Sequence, residues 1–497
     1  MLAVCAIALT APSLAQETPE NIFGPKLEST AALQKPTGVQ PLRRSSSTAD
    51  TLRYWNQIAI DASGLDHTPV QPGENRVFGE QIGPGRSSRA VAIVHIAIFD
   101  AVNAIVGGYH SYTRIGPARR GASIDSAIAQ AAHDTLVAMF PSQRPSFDTL
   151  LTADLAQVGT RDAQAKANGR EVGRRAAAAI LARRANDGSA VPEPLMDSEY
   201  FPGQGPGVWR QDPISLVPIA LGAKWHKVRP FVLRSPAQFR VPAPPAMESQ
   251  EYAEAYNEVL ALGGDGVTTP TQRTAEQTEI GIYWAYDGTP SLCAPPRLYN
   301  QIVTEVSERS SNVIQLARLY ALVNVAMADA GIAIWESKYH YAFWRPVTGI
   351  READPRTGPS GLGDGNPDTV ADPIYSPLGA PASNLTGPNF TPPFPAYPSG
   401  HAGFGGALFQ ILRNVYGTDR VAFTFTSDEF NGVTFGNDGN VRPLAPRSFE
   451  SFSQAEEENG QSRIYLGIHW EFDKTEGIAQ GRRVANYVFR NAFTPVR

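Results

Sequence analysis

The chain has 497 residues, of which 42% are hydrophobic and 18% charged, a balance that excludes a disordered chain and leaves material for a large core. Its formal net charge of -5 and its lack of any basic tract argue against a dedicated nucleic-acid binder, so a strong positive field has to be made locally by converging side chains. Two cysteines, Cys5 and Cys293, are too few for a zinc–cysteine cluster or an iron–sulfur site.

Residues 1–15 read as a signal peptide. Leu2 to Ala11 is almost wholly apolar and Ser13-Leu14-Ala15 offers small residues for cleavage, although no positive charge precedes the run. The expected location is therefore outside the cytoplasm, periplasmic or extracellular, with Cys293 left alone. No later segment reaches about 18 uninterrupted apolar residues, so no membrane span is predicted. Residues 16–48, rich in Pro, Ser, Thr and Gln, predict an extended or poorly ordered arm. Residues 49–497 are expected to form a single large α-helical catalytic domain.

Within it, Arg89 to Val106 is apolar on most faces and predicts a buried helix. Ala127–Phe140, Phe147–Gln157 and Asp162–Arg183 follow as Ala-rich amphipathic helices. Residues 187–248 are irregular. Helical periodicity returns at Gln250–Leu262 and at Thr271–Tyr286, where Pro270 is placed to start a helix. Pro295–Glu308 and the long apolar Asn312–Ser337 come next, the latter a central helix. Residues 351–400 form a Pro-, Gly- and Asp-rich loop of a length that is usually functional. A helix at His401–Tyr416, a polar and aromatic insertion at 418–449, and helices at Glu450–Ile468 and Trp470–Phe493 complete the chain. The fold class is mainly α, a helical-bundle domain, and two helix-rich halves flank an irregular middle.

Three segments, 335–346, 392–401 and 462–473, carry chemistry. Lys338 and Arg345 lie seven apart, two helical turns, so both heads can point one way. Two such cations repel unless an anion sits between them; taken alone, unrelated surface residues or salt bridges to Glu336 and Glu352 explain them as well. Pro398-Ser399-Gly400-His401 stands where the loop enters a helix, whose first-turn N–H groups are unpaired and whose dipole end is positive. Ser399 can cap or donate, Gly400 admits close approach, and His401 stands beside any bound anion. An ordinary capped helix start is the plainer reading. Arg463 and His469 are six apart, and Asp473, four beyond His469, can hold the second ring nitrogen. A surface His–Asp pair would look the same. Together the segments supply three cations, a hydroxyl, helix-end amides and two histidines. That set fits a tetrahedral oxyanion gripped by guanidinium forks, with one apical nitrogen, and fits zinc poorly.

These segments resemble the signature of the vanadium haloperoxidase and type-2 acid phosphatase superfamily: Lys338 with Arg345-Pro346, Pro398-Ser399-Gly400-His401, and Ser462-Arg463 followed by His469 and Asp473. Weaker similarity extends to Trp284–Gly288, Pro295–Asn300 and Lys224–Pro245. The resemblance implies two packed four-helix bundles and a vanadate cofactor, with phosphate able to occupy the same pocket. It implies that His469 binds the metal, that Lys338, Arg345 and Arg463 neutralise vanadate oxygens with Ser399 and the Gly400 amide, and that His401 is the general base. Lys338 would also polarise bound peroxide. Asp287 would pair with Arg463, and Trp335 and Phe394 would line the halide side. The implied partners are hydrogen peroxide, a halide and small organic acceptors, with hypohalous acid as product and bromide or chloride as halide. A phosphatase would instead use His469 as nucleophile and His401 as acid. Chain length, the Pro-rich approach to His401, Trp335 and Phe394 favour the haloperoxidase. A non-catalytic periplasmic oxyanion binder is a third reading, disfavoured by two histidines placed over the cations.

The remaining candidates are weaker. His340 and His95 read as structural, and His67, His110, His133 and His226 show no partner spacing. Asp354, Asp364, Asp368 and Asp372 could hold calcium, but scattered loop acids are more often solvated.

Overall fold

The structure is a computed structural model that describes residues 17–29, 47–158 and 162–496. The expected signal peptide and residues 30–46 of the expected arm lie outside the described residues. The helices are α1 (Pro19–Phe23), α2 (Thr48–Asp66), α3 (Gly83–Val106), α4 (Ile124–Met139), α5 (Arg144–Gln157), α6 (Ala163–Arg184) and α7 (Gln250–Leu262). They continue as α8 (Ala275–Tyr283), α9 (Pro295–Val306), α10 (Val313–Tyr341), α11 (Pro346–Arg351), α12 (Gly400–Tyr416), α13 (Phe452–Tyr465) and α14 (Glu471–Asn491). Two short antiparallel pairs join β1 (Glu28–Ser29) to β2 (Leu385–Thr386) and β3 (Phe423–Phe425) to β4 (Arg447–Phe449).

Local chemistry sets most helix starts. Ser47, Ser123, Asp162, Ser249, Asn312, Ser399 and Ser451 each accept a first-turn N–H, satisfying donors the helix leaves unpaired. Two starts differ most from expectation. α3 begins at Gly83, six residues before Arg89, because Pro84 sits in its first turn, where a missing N–H costs nothing. α8 begins after Thr274, whose capping box with Gln277 overrides the Pro270 start.

The helices form two groups. In the first, α2, α3, α4 and α6 pack together; in the second, α10, α12, α13 and α14 do. Contact between α3 and α10 joins them, and one hydrophobic core runs through both, from Leu52 and Phe99 to Phe409 and Val488. α3 and α10 are long and apolar enough to cross a membrane by length and composition alone. Here that apolar surface is spent on the core: 83% of the most apolar window of α3 and 100% of that of α10 are buried.

Part of the expected arm is ordered. Residues 17–29 form α1 and β1 and bury Phe23 and Leu27 against the body. The 418–449 insertion is fastened by Tyr283, which donates to the Phe425 carbonyl at 2.5 Å, and by Arg297, which grips Asp428 at 2.9 Å.

Candidate active site

Lys338 and Arg345 reach one site, but not from one helix as their spacing predicts. α10 stops at Tyr341, Ala342 takes a left-handed conformation at φ 47°, and Arg345 is the cap residue of α11, with Pro346 as the first residue of α11. The left-handed Ala342 ends α10, and Pro346 is placed to start a new helix directly after Arg345. The Pro392–Ala396 stretch then receives both cations. Lys338 Nζ donates to the carbonyls of Pro395 at 2.7 Å and Ala396 at 2.9 Å. Arg345 Nε donates to the Phe394 carbonyl at 2.9 Å and its Nη1 to that of Ile468 at 2.8 Å. The Phe394 ring lies between them, 5.0 Å from Lys338 Nζ and 4.9 Å from the Arg345 guanidinium carbon, and 5.0 Å from the Trp335 ring.

His469 lies in the link between α13 and α14. Its Nδ1 meets Asp473 Oδ2 at 2.7 Å, and its Nε2 meets Arg345 Nη1 at 2.9 Å. The guanidinium can only donate, so Nε2 carries a lone pair and Nδ1 carries the proton. Burial, then Arg345, Lys338 and Arg463, hold the imidazole pKa well below its usual range, so the ring is neutral. Burial pushes Asp473 up to about 7 against the Trp470 N–H that it accepts at 3.0 Å.

His401 stands in the first turn of α12, where Ser399 Oγ accepts from Ala402 N at 3.4 Å. Its Nε2 contacts the Ala285 carbonyl, which can only accept, so Nε2 bears the proton and Nδ1 is the basic nitrogen. Burial and Arg463 drive its pKa well below the usual histidine range. Gly400 packs under Trp335; a Cβ there would meet the indole at 3.4 Å. Arg463, near the end of α13, donates through Nη2 to Asp287 Oδ1 at 2.6 Å. Its Nε and Nη1, and Asp287 Oδ2, are buried with no partner. Burial pulls Lys338 well below its ordinary pKa and Arg345 down to about 9. Lys338, Arg345 and Arg463 outnumber Asp287 and Asp473 by one.

Asp287, Trp335, Phe394, Gly400, His401, Arg463 and His469 line one cavity, while Lys338, Arg345 and Ser399 stand directly behind its wall. The structure thus brings together every residue singled out for the site. Three holders were not legible. The Ala285 carbonyl is backbone and leaves no mark in the sequence. Tyr299 and Asn459 hold the His401 carbonyl at 2.8 and 3.1 Å, and lie in or beside segments already noted for their similarity. Several of the other candidates have structural partners. His340 contacts Arg240 at 3.4 Å, and His95 meets Asn56 at 2.9 Å. His133 sits between Asp134 and Asp148, each at 2.8 Å, and Asp364 accepts from Asn366 N at 2.9 Å.

The donor set suits a tetrahedral oxyanion bound at an apical nitrogen. Two orphaned guanidinium donors, a lone-pair imidazole and a surplus positive charge are what such an ion would satisfy.

Residues 318–497 match a family model described as the VCPO second helical-bundle domain. Vanadium chloroperoxidase of Curvularia inaequalis is 31% identical over 500 residues, covering 84% of this chain and 78% of that one. Among solved structures, a bacterial vanadium-dependent iodoperoxidase superposes with a TM-score of 0.68 at 22% identity, covering 90% of this chain and 97% of that one. The holo-type bacterial vanadium-dependent chloroperoxidase gives 0.59 at 18%, covering 85% of this chain and 95% of that one. These two likenesses concern the fold.

Proposed function

The chain belongs to the vanadium haloperoxidase family, and from that premise we propose that it oxidises halide with hydrogen peroxide to hypohalous acid, using vanadate held at His469. The observation that carries this reading is the lone pair of His469 Nε2 in one cavity with the two unpartnered donors of Arg463. Bound there, vanadate supplies Lewis acidity that activates the peroxide, without a change of oxidation state.

The protein's own groups do the rest. Arg463, Arg345 and Lys338 would neutralise the oxyanion, and Ser399 and the Gly400 amide would donate to it. Asp473 keeps the His469 proton on Nδ1, so Nε2 presents a lone pair, which accepts from Arg345 and would bind the metal in exchange. His401, neutral through burial, takes the peroxide proton at Nδ1 and returns it to the departing oxygen as water forms. Lys338, 5.0 Å from the Phe394 ring, would draw electron density from the peroxide and make it electrophilic towards halide. The halide gives two electrons to the oxygen–oxygen bond and solvent supplies one further proton; hypohalous acid and water leave. Trp335 and Phe394 present an aromatic wall on which a weakly hydrated anion such as bromide is accommodated more readily than a strongly hydrated one. The apolar Leu2–Ala11 stretch supports an exported enzyme.

The test is bromination of monochlorodimedone by vanadate-loaded protein with bromide and hydrogen peroxide. Turnover that depends on vanadate is expected, and no halogenation with any halide after loading overturns the reading. The His469–Asp473 pair would also suit a phosphatase, with Nε2 attacking phosphorus. Hydrolysis of p-nitrophenyl phosphate faster than halogenation would favour that alternative.

A further inference from the structure

We infer that Tyr286 is a positioning residue, held by the turn 427–430 of the insertion so that its two chain neighbours, Ala285 and Asp287, set His401 and Arg463 together. The part that His401 plays in turnover rests on the haloperoxidase reading; the placement of its proton does not.

Ala285, Tyr286 and Asp287 follow one another just beyond α8. The Ala285 carbonyl meets His401 Nε2, and Asp287 Oδ1 accepts from Arg463 Nη2 at 2.6 Å. One short segment thus fixes both the imidazole assigned as base and a guanidinium assigned to the oxyanion. Tyr286, between the two contacts, has φ 44°, left-handed for a residue with a side chain, and such a conformation persists only where the surroundings impose it. The loop that follows does not impose it. Its own bonds run from Gly288 N–H to the Cys293 carbonyl at 2.9 Å and from Cys293 N–H to the Thr289 carbonyl at 3.1 Å, which closes the loop beyond Tyr286 and leaves the tyrosine outside.

The constraint comes from the insertion. Tyr286 is fully buried, and its OH accepts the Asp428 N–H at 2.6 Å and donates to Gln301 Oε1 at 2.9 Å. Gln301 Nε2 donates back to Asp428 Oδ2 at 2.9 Å, so the three residues form a closed ring of hydrogen bonds. Ser427, also buried, donates to the Tyr283 carbonyl at 2.6 Å and accepts the Glu429 N–H at 3.1 Å, which seats the turn against the end of α8. Arg297 ties the turn to α2: its Nε donates to Asp428 Oδ2 at 2.9 Å and its Nη1 to Asp61 Oδ1 at 2.8 Å. Among the described residues that line the cavity, none belongs to the turn 427–430. The turn therefore acts on the site through Tyr286 and its neighbours. With the Ala285 carbonyl held in place, the His401 proton belongs on Nε2 and Nδ1 keeps its lone pair.

Tyr286→Phe tests this, because it removes one oxygen and keeps the ring. In the full-length protein without vanadate, NMR of nitrogen-labelled histidine should show wild-type His401 as one tautomer, protonated on Nε2, the signal being assigned by its loss in His401→Ala. In Tyr286→Phe both ring nitrogens should move towards the values of a mixture of tautomers. In the vanadate-loaded enzyme kcat/KM for peroxide should fall about 10- to 100-fold, as misplacing a catalytic group does. KM for bromide should not change, because Trp335 and Phe394 stand on other elements. Gln301→Leu, which removes the acceptor of the hydroxyl, should shift spectrum and kinetics the same way and serves if Tyr286→Phe does not fold. Thr424→Ala, at an exposed position of the same insertion, should shift neither. A single tautomer and wild-type kinetics in Tyr286→Phe, with only a lower Tm, overturns the inference, and so does an equal shift in Thr424→Ala. A tautomer shift in a protein that halogenates nothing removes the haloperoxidase reading and keeps the positioning of His401.

Discussion

Asp473 orients two parts of the site at once. Its carboxylate takes the His469 Nδ1–H at 2.7 Å, and its backbone carbonyl takes the Ser399 N–H at 2.9 Å, so one residue aligns the metal-ligand histidine with the start of α12. Asp473→Asn keeps the volume and loses the charge that fixes the tautomer. Vanadate affinity should fall about 10- to 100-fold, read by equilibrium dialysis. The two histidines should separate cleanly. His469→Ala is expected to abolish tight vanadate binding, whereas His401→Ala should retain the anion and lose about 10²- to 10⁴-fold in turnover, as loss of a general base does. Equal losses of affinity in both would contradict the roles assigned. At this scale the sequence is highly informative, because residue type and short spacing already specify cation, hydroxyl and imidazole. It misleads only at Lys338 and Arg345, where a spacing of seven imitates a helix that ends at Tyr341.

The crossing of α12 and α14 sets the distance between Ser399–His401 and Asp473. Glycines make it close. A Cβ on Gly481 would meet the Gly403 oxygen at 2.1 Å, and one on Gly406 the Ile478 oxygen at 2.6 Å. Backbone cannot yield as a side chain can, so Gly481→Ala should push the helices apart, at a cost of about 1–3 kcal/mol, measured as a lower denaturation midpoint and accompanied by weaker vanadate binding. A second element-level effect comes from His95 on α3, stacked on Tyr320 of α10 at 4.9 Å and bonded to Asn56 of α2. Burial lowers its pKa from 6.5 to about 3. The unfolded chain therefore takes up the proton first, and stability present above pH 6.5 is lost as pH falls towards the folded value. Acidification from pH 6.5 to 5 should remove about 2 kcal/mol through this group. The urea midpoint of His95→Gln should show a correspondingly shallower acid dependence; identical slopes would refute it. Helix existence was largely legible from periodicity and caps, while the start of α3 and the extent of α8 turned on Pro84 and Thr274.

At the scale of the whole molecule, the bound oxyanion should act as a stabiliser. It supplies charge and acceptors that the native site lacks and the unfolded chain has no use for. Orthovanadate at a hundred times its dissociation constant should add about 2.7 kcal/mol to unfolding, seen as a raised Tm that His469→Ala removes.

By itself, the sequence determined a mainly helical bundle and the chemical kind of the site, because periodicity, caps and the residues around Lys338, His401 and His469 act over a few positions. The tertiary structure alone decided how these meet. Lys338 finds its acceptors 57 and 58 residues away, Arg463 finds Asp287 across 176, and His401 is held by a carbonyl 116 residues earlier. Segment 17–29 is the extreme case: its composition reads as an unstructured arm, and its order comes from backbone pairing and close packing against partners as far as 358 residues on. Such contacts follow from packing the whole chain, and irregular segments carry no period from which to read them.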